Sequence, residues 1–208
     1  SEFIISQKID IVINLSSIDC YGKFIKKNKR EILKINENQL LDYFSLYGAS
    51  KLATETILNL LSEKYNFLNY NLRLPGVVGN SSHINPRNFI SFITREIQKG
   101  NSLTLNNPDF LFNNIVHTKT ICECIETLLY MTNRQITQKR IINIASTQPL
   151  KIKELVNIIK NKLSSDSKIN YKEENQPSFQ INTECAEKFK LPIISTKECL
   201  NLFLGSIK

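Results

Sequence analysis

Short apolar runs and longer segments with helical periodicity alternate along the first part of the chain. Ile9 to Leu15 (IDIVINL) is mostly apolar and rich in β-branched residues, which predicts a strand buried on both faces. Phe67 to Leu74 predicts the next strand, ended by Pro75-Gly76. Between them a helix is predicted from about Leu46 to Tyr65, with an apolar stripe made of Ala49, Leu52, Ala53, Thr56, Leu60 and Leu61. Two strands joined by a helix-bearing crossover form a βαβ unit, so we expect a parallel sheet.

The rest of the chain continues this alternation with shorter elements. The patterns predict helices over Arg87–Lys99, Thr118–Met131, Leu150–Leu163 and Thr196–Leu204, and strands over Leu103–Leu105 and Arg140–Ile144. The residues predicted to face inward are Ile121, Cys124, Ile125, Leu128 and Leu129 in one helix, and Ile152, Leu155, Val156, Ile159 and Leu163 in another. An α/β fold follows, with enough chain for one domain plus a small lobe.

Composition and charge narrow the classes of function. The 208 residues carry a formal net charge of +8, but the lysines are scattered and no aromatic interleaving suggests base stacking, so nucleic-acid binding is the weaker hypothesis. No apolar run reaches the length of a membrane span, and we expect no membrane partner. The five cysteines form no CxxC pair and only two histidines occur, so we predict no metal site and free thiols in the cytoplasm.

The segment Tyr47-Gly-Ala-Ser-Lys51 places a phenol and an ammonium four positions apart on one predicted helix. Residues at this spacing share a face. A cation beside a phenol favours the phenolate and moves the tyrosine pKa down from about 10. Such a phenol can take a proton from a sugar hydroxyl and return it, which is the acid/base half of alcohol–ketone chemistry.

Two further segments are predicted to meet this pair at one edge of the sheet. Leu15 to Gly22 (LSSIDCYG) directly follows the first strand, and Leu72 to Gly79 (LRLPGVVG) ends the next one. Ligands of open α/β sheets bind beyond the carboxyl ends of the strands. Ser17 is therefore a candidate active-site residue, although a turn or capping serine is the alternative reading.

These three segments resemble the SSxxxYG, YxxxK and RxxxxxG motifs of the extended short-chain dehydrogenase/reductases, the NAD-dependent nucleotide-sugar epimerase/dehydratase family. Asn114–His117, Asn143–Ser146 and Asn182–Ala186 resemble later motifs of the family in the same order. The resemblance implies a partial Rossmann-like parallel sheet with a small C-terminal α/β substrate lobe. Residues 1–80 would be the remaining half of the NAD(P)-binding domain, and residues 81–208 mainly the substrate-binding lobe, with some later elements returning to the sheet.

The resemblance also implies roles for individual residues. Tyr47 would be the acid/base, Lys51 would bind the nicotinamide ribose and tune Tyr47, and Ser17 would hydrogen-bond the reacting hydroxyl. The cofactor would be NAD or NADP, bordered by the segment of Pro75, Gly76, Val77 and Val78. The substrate would be a nucleotide-diphosphate sugar, and the substrate-binding positions would be Ser17, Asp19, Tyr21 and Asn113. The family histidine, here His117, tends to be structural.

Several positions depart from the family pattern. No glycine-rich phosphate-binding turn occurs, so the chain resembles the C-terminal portion of a family member, and we expect a missing N-terminal half or self-association. Asn113 stands where many members have a diphosphate-binding arginine, and Gly76 where many have a substrate-binding asparagine. Ile18 replaces one of the two acidic residues of the 4,6-dehydratases, which favours an epimerase or reductase. A non-catalytic remnant that acts as a binding or assembly module is the alternative.

Overall fold

The computed structural model describes residues 9–22, 33–39, 45–80, 88–131, 139–174 and 178–207. The strands in these ranges are β1 (Ile11–Ser17), β2 (Leu33–Ile35), β3 (Leu68–Leu74), β4 (Gly76–Val78), β5 (Leu103–Asn106), β6 (Leu111–Phe112), β7 (Ile115–His117), β8 (Lys139–Asn143), β9 (Leu150–Lys151), β10 (Ile169–Lys172) and β11 (Phe179–Ile181). The helices are α1 (Leu46–Tyr65), α2 (Phe89–Gln98), α3 (Thr118–Tyr130), α4 (Ile152–Lys162), α5 (Glu184–Lys188) and α6 (Thr196–Gly205), and Ile18–Tyr21 forms one 3-10 turn. The predicted α/β class is confirmed.

The main sheet has the order β1-β3-β8, and both of its pairings are parallel. Leu15 lies beside Leu72 and Ser17 beside Leu74, so the carboxyl ends of β1 and β3 meet at one edge. The βαβ unit predicted from the sequence is therefore present. β8 comes from much later in the chain and pairs with the far side of β3.

The chain leaves β3 at Pro75 and continues at once into β4, which pairs in parallel with β7. Pro75 was predicted to end the strand, and it does so by turning the backbone into a second sheet rather than into a loop. Three further strand pairs complete the fold: β5 with β10, β2 with β11, and β6 with β9, the last of these antiparallel.

Two apolar clusters form the core. One joins α2, α4 and α6 and includes Ile90, Ile93, Ile97, Leu155, Val156, Ile159, Leu200 and Phe203. The other lies between the main sheet and α3 and includes Leu72, Leu74, Ile121, Cys124, Leu128 and Ile142. Most of the predicted inward residues of α3 and α4 are therefore right, but Leu129 is 51% exposed because it lies one position beyond the inward stripe.

Two predicted boundaries shift for local reasons. α4 begins at Ile152 rather than Leu150, because Leu150 and Lys151 pair with β6 before the helix starts. β1 was predicted to be buried on both faces, yet Leu15 is 43% exposed. In the described part of the sheet β1 has a strand on one side only, which leaves its other edge uncovered.

The apolar stripe predicted for α1 does not form the buried face of the helix, since none of its six residues is fully buried and Ala49, Leu52 and Leu61 are half-buried. The buried residues of this helix are Gly48, Glu55 and Ser62, spaced by seven, whereas Leu60 is 61% exposed and Ala53 and Thr56 are exposed as well. The cause lies in β3, where Asn69, Asn71 and Arg73 occupy alternate positions, all fully buried. The polar face of α1 packs against this polar surface of the sheet, and the apolar side of the helix therefore faces outward.

Side-chain amides line the contact between this helix and the sheet. Asn59 of α1 accepts hydrogen bonds from Asn69 (2.8 Å) and Asn71 (3.1 Å) with one oxygen. Asn14 of β1 donates to the Oδ1 atom of Asn71 at 2.9 Å. The helix is thus held to the sheet by directional bonds. No helix in the described ranges is long and apolar enough to cross a membrane.

Candidate active site

Tyr47 and Lys51 lie on the first two turns of α1. Ser45 caps this helix, since its Oγ atom accepts a 2.8 Å hydrogen bond from the backbone N–H of Gly48. The Nζ atom of Lys51 is 5.7 Å from the centroid of the Tyr47 ring. Lys51 also donates a 2.8 Å hydrogen bond to the backbone carbonyl of Leu15, at the end of β1. The phenol side chain of Tyr47 is 53% exposed.

Ser17 ends β1 and caps the 3-10 turn that follows. Its Oγ atom accepts a 3.1 Å hydrogen bond from the backbone N–H of Asp19, and its side chain is nearly buried. Ser17 therefore has the capping role that was predicted as the alternative to an active-site role. It uses the oxygen as an acceptor and leaves the hydroxyl proton for another partner. Asp19, the second residue of this turn, is itself exposed.

The 3-10 turn and the start of α1 are in direct contact through Gly48. A Cβ atom built on Gly48 would lie 2.4 Å from the carbonyl oxygen of Asp19. On the same turn, the thiol of Cys20 lies 3.7 Å from the carbonyl oxygen of Gly48. The structure thus places the Tyr47–Lys51 turn against the Ser17 turn, as the sequence predicted. The role of Gly48 was missed, although a glycine between the two motif residues was the available signal.

A buried ion pair lies behind this contact and was also missed. Arg73 donates from Nε to Oε1 of Glu55 (3.0 Å) and from Nη2 to Oε2 (2.7 Å), and both side chains are almost fully buried. Ser16 donates its hydroxyl hydrogen to the same carboxylate. Burial opposes the charge of Arg73, yet the hydrogen bonds to Glu55 hold its pKa above the ordinary value. The signal was Glu55 itself, which follows Lys51 by four positions on the YxxxK face.

Tyr21 is buried rather than presented to a ligand. Its hydroxyl donates a 2.8 Å hydrogen bond to Asn143, and the guanidinium carbon of Arg73 lies 4.6 Å from its ring centroid. Burial raises the pKa of Tyr21 to about 12. The side chain is 1% exposed, so the predicted substrate contact is not available to it here. The tyrosine anchors the end of the 3-10 turn instead.

Asn113 was predicted as a substrate-binding residue, and its side chain is occupied by the protein itself. Nδ2 donates to the carbonyls of Ser146 (3.0 Å) and Ile181 (2.9 Å), and Oδ1 accepts from the backbone N–H of Ile181 (3.0 Å). An amide matches a backbone peptide group in this way because it is both donor and acceptor. The residue locks β11 to the loop after β8, which leaves no polar atom of Asn113 uncommitted.

A cavity of about 280 Å³ lies beside Asn113. Its lining is polar and of mixed charge: Lys34, Asn113, Thr147, Gln148, Pro149, Gln180, Ile181, Asn182, Thr183, Glu184 and Glu187. None of the predicted catalytic residues belongs to this lining. The cavity and the Tyr47–Lys51–Ser17 group are therefore separate features.

The predicted cofactor segment is an ordered strand next to the site. Pro75 and Val78 are buried, while Val77 is 39% exposed. Asn88, the cap of α2, donates a 3.0 Å hydrogen bond to the carbonyl of Val77. A Cβ atom at Gly76 would come within 2.9 Å of the Asn88 amide, so this position is closely packed.

His117 caps α3, in keeping with a structural role. Its Nδ1 atom accepts a 3.1 Å hydrogen bond from the backbone N–H of Lys119, and the side chain is 8% exposed. Burial and the neighbouring Lys119 lower its pKa, against an opposing effect of Glu123. The neutral imidazole is thus the form that the cap requires.

The sequence model of the NAD dependent epimerase/dehydratase family matches residues 2–145, more than half of the chain. The chain belongs to this family. The match includes the segments with Ser17, Tyr47, Lys51 and Pro75 to Val78. The family resemblance inferred from the motifs is therefore confirmed. No curated protein matches the sequence.

Solved structures of the family show the same fold. UDP-glucuronic acid 4-epimerase from Bacillus cereus, in complex with NAD, superposes with a TM-score of 0.78 at 16% identity, over 99% of this chain and 63% of that chain. UDP-glucose 4-epimerase from Thermotoga maritima, with UDP-glucose, gives 0.76 at 17% identity, over 99% and 65%. dTDP-glucose 4,6-dehydratase from Bacillus anthracis, in complex with NAD, gives 0.72 at 18% identity, over 99% and 64%.

These likenesses establish a Rossmann-type α/β fold, as the sequence predicted. The chain spans less than two thirds of the length of these neighbours. The neighbours include both epimerases and a dehydratase, so the fold is shared by enzymes with different outcomes on the sugar.

Proposed function

We propose that the full-length protein is an NAD(P)-dependent nucleotide-sugar epimerase or reductase, with Tyr47 as acid/base, Lys51 as its cationic partner and Ser17 as hydrogen-bond donor. The observation that carries the proposal is the arrangement of one exposed phenol, one ammonium near its ring, and one serine on the turn packed against them. Family membership supports the same chemistry.

The residues present fit a nicotinamide cofactor at this edge of the sheet. Lys51 has three N–H donors and uses one of them for the Leu15 carbonyl, so others remain for ribose hydroxyls. Val77 offers an exposed surface next to the end of β3. When bound, the nicotinamide exchanges a hydride with the sugar carbon. The proposed cofactor is NAD or NADP, because the residues that distinguish the two lie in the glycine-rich part of such enzymes.

The protein side of the reaction is a reversible proton transfer. The Tyr47 oxygen takes the proton of the sugar hydroxyl as that carbon is oxidised, and gives it back on reduction. The ammonium of Lys51 stabilises the negative charge on the tyrosine oxygen in between. Ser17 donates its hydroxyl hydrogen to the same sugar oxygen, and its Oγ acceptor site is already held by Asp19 N–H, which fixes its orientation.

A nucleotide-diphosphate sugar is the proposed substrate class, supported by the UDP-sugars named for the solved neighbours. Asn113 brings no charge for a diphosphate and its polar atoms are occupied, so that anion would be bound by other groups. Only one carboxylate, Asp19, follows Ser17, which favours epimerase or reductase chemistry over two-carboxylate elimination. We assign residues 1–80 to the cofactor domain and residues 81–208 mainly to the substrate lobe.

The free cysteines support a cytoplasmic location for the protein.

The test is Tyr47→Phe in the full-length protein, with epimerisation and reduction of a panel of UDP- and dTDP-sugars followed by NMR and by absorbance of the reduced cofactor. We expect turnover to fall by at least a hundredfold while cofactor affinity changes little. Tyr65→Phe is the matched control, because Tyr65 ends the same helix and is partly exposed too. A Tyr47→Phe variant that keeps most of the activity would exclude the mechanism.

A binding or assembly module is the second candidate, supported by the outward apolar side of α1. Leu46 is 93% exposed, Ile57 55% and Leu60 61%, which suits coverage by another surface. Calorimetric titration of the full-length protein with NAD and NADP separates the two candidates. Full-length protein that binds neither cofactor and turns over no sugar nucleotide would favour the module.

A further inference from the structure

Every segment of the proposed active site has one residue anchored in the same buried polar cluster. Ser16 precedes Ser17 at the end of β1, Glu55 follows Lys51 by one helical turn, and Arg73 precedes Pro75 by two residues. Tyr21 closes the 3-10 turn and packs its ring against Arg73. Four structural elements therefore converge on the Glu55 carboxylate and the Arg73 guanidinium.

The cluster continues to the third strand of the sheet. Tyr21 donates to the Asn143 side chain, and the Asn143 backbone N–H donates to Glu37 at 2.8 Å. The ends of β1, β3 and β8 are thus joined by side chains as well as by their backbone ladders. These bonds fix the relative heights of the three strand ends.

Stability alone does not account for an ion pair in this position. Two charges removed from water pay a large desolvation cost, and an apolar pair of similar volume is often as stable or more so. What a bidentate carboxylate–guanidinium contact supplies instead is a fixed mutual orientation, because both groups are planar and bond through two atoms each. At Glu55 and Arg73 that orientation relates the YxxxK helix to the end of β3.

We propose that the Glu55–Arg73 pair is a positioning device that sets the placement of Ser17 and Tyr47 relative to each other. Glu55 fixes the rotation of α1 about its axis, and hence the direction of Tyr47 and Lys51. Through Ser16 the same carboxylate holds the residue next to Ser17. The proposal rests on the proposed function for its catalytic readout. Misplacement of reacting groups by about 1 Å costs about a hundredfold in rate.

The deciding experiment replaces the pair by apolar residues of similar volume, Glu55→Leu with Arg73→Met, in the full-length protein. We expect a folded variant with a melting temperature close to that of the wild type, a kcat lowered at least tenfold and a KM changed less than threefold. If the pair served only to stabilise the fold, a stable double variant would keep the wild-type kcat. That result would overturn the proposal.

Ser16→Ala is the second variant, for the case in which the double variant does not fold. It removes the hydrogen bond to Glu55 together with the 3.6 Å contact between the Ser16 hydroxyl and the Cys20 thiol, and we expect kcat to fall severalfold. Ser62→Ala is its control, because Ser62 is fully buried on the same face of α1, donates to the Asn59 carbonyl within the helix, and lies two turns beyond Glu55. Equal kcat values for the Ser16 and Ser62 variants would also overturn the proposal.

A readout without turnover keeps this proposal separate from the proposed function. Amide hydrogen exchange of the chain, followed by mass spectrometry, should speed up at residues 16–22 and 46–52 in the Ser16→Ala variant and not in Ser62→Ala. Inactive wild-type protein with this exchange pattern would refute the enzymatic function and keep the positioning role. Active wild-type protein without the exchange difference would refute the positioning role alone.

Discussion

Gly48 and Asp19 touch without any side chain between them: a Cβ atom at Gly48 would stand 2.4 Å from the Asp19 carbonyl oxygen. The absent side chain is what lets the first turn of α1 rest on the turn that carries Ser17. The spacing between the two motifs therefore depends on a residue that has no chemistry of its own.

Replacing Gly48 by alanine should destabilise the chain by about 1–3 kcal/mol, because the methyl group forces the two turns apart. Alanine favours a helix by up to about 1 kcal/mol, so the clash must outweigh that gain. Gly205→Ala is the control, since nothing lies within 4 Å of a Cβ atom at that last position of α6. Urea unfolding of both variants measures the change in the free energy of unfolding. Equal stabilities would show that the contact between Gly48 and Asp19 opens without cost.

Lys51→Met should lower the turnover of the full-length protein by at least a hundredfold, since it removes both the cation beside Tyr47 and the bond to the Leu15 carbonyl. Lys64→Met is matched to it. The Nζ atom of Lys64 lies 5.2 Å from the Tyr65 ring centroid at the other end of α1, so that variant removes a similar pair away from the site. Steady-state kinetics on both variants tests the assignment, which fails if they lose activity equally.

His117 should make the stability of the chain depend on pH. Its pKa is lowered in the folded state, mainly by burial, below the ordinary value near 6.5. A lowered pKa stabilises the folded state above about pH 6.5, and this contribution is lost as the pH falls through the folded-state value. Denaturation of wild type and His117→Asn at pH 8 and pH 5.5 checks this. Asparagine also caps helices but does not titrate, so the variant should lose less stability on acidification; an equal loss would contradict the account.

Asn113→Ala should cost about 1–3 kcal/mol, because it leaves the N–H and carbonyl of Ile181 and the carbonyl of Ser146 without their side-chain partner in a buried place. Asn101→Ala is the control, because Asn101 is exposed and its side chain donates to the nearby carboxylate of Glu96. Thermal unfolding distinguishes the two variants. If Asn113→Ala is as stable as Asn101→Ala, the hydrogen bonds from Asn113 to β11 and to the loop after β8 do not contribute to the free energy of unfolding.

Elements set by local pattern were predictable from the sequence. β1, β3, α1, α4 and α6 lie within a few residues of their predicted bounds, because strand and helix periodicity, Pro75 and the serine caps act over short distances. The parallel pairing of β1 with β3 followed from the crossover between them.

The predictions that failed concern side chains whose environment is determined by residues far away in the sequence. The inward face of α1 could not be found from its own periodicity, since the asparagines and arginine of β3 determine which side is buried. Tyr21 and Asn113 matched motif positions by spacing, but their hydrogen bonds to Asn143 and Ile181 depend on contacts more than sixty residues away. Spacing identifies a position in a motif, and packing then decides whether its side chain faces a ligand.

The position of β8 has a consequence for how the molecule could be divided. The middle strand of the main sheet, β3, is flanked on one side by β1 and on the other by a strand from the second half of the chain. Cleaving the chain between β4 and α2 would leave two pieces interlocked through a shared ladder. Neither piece expressed separately would contain the complete main sheet, so the two halves should associate when co-expressed, and each should require the other to fold.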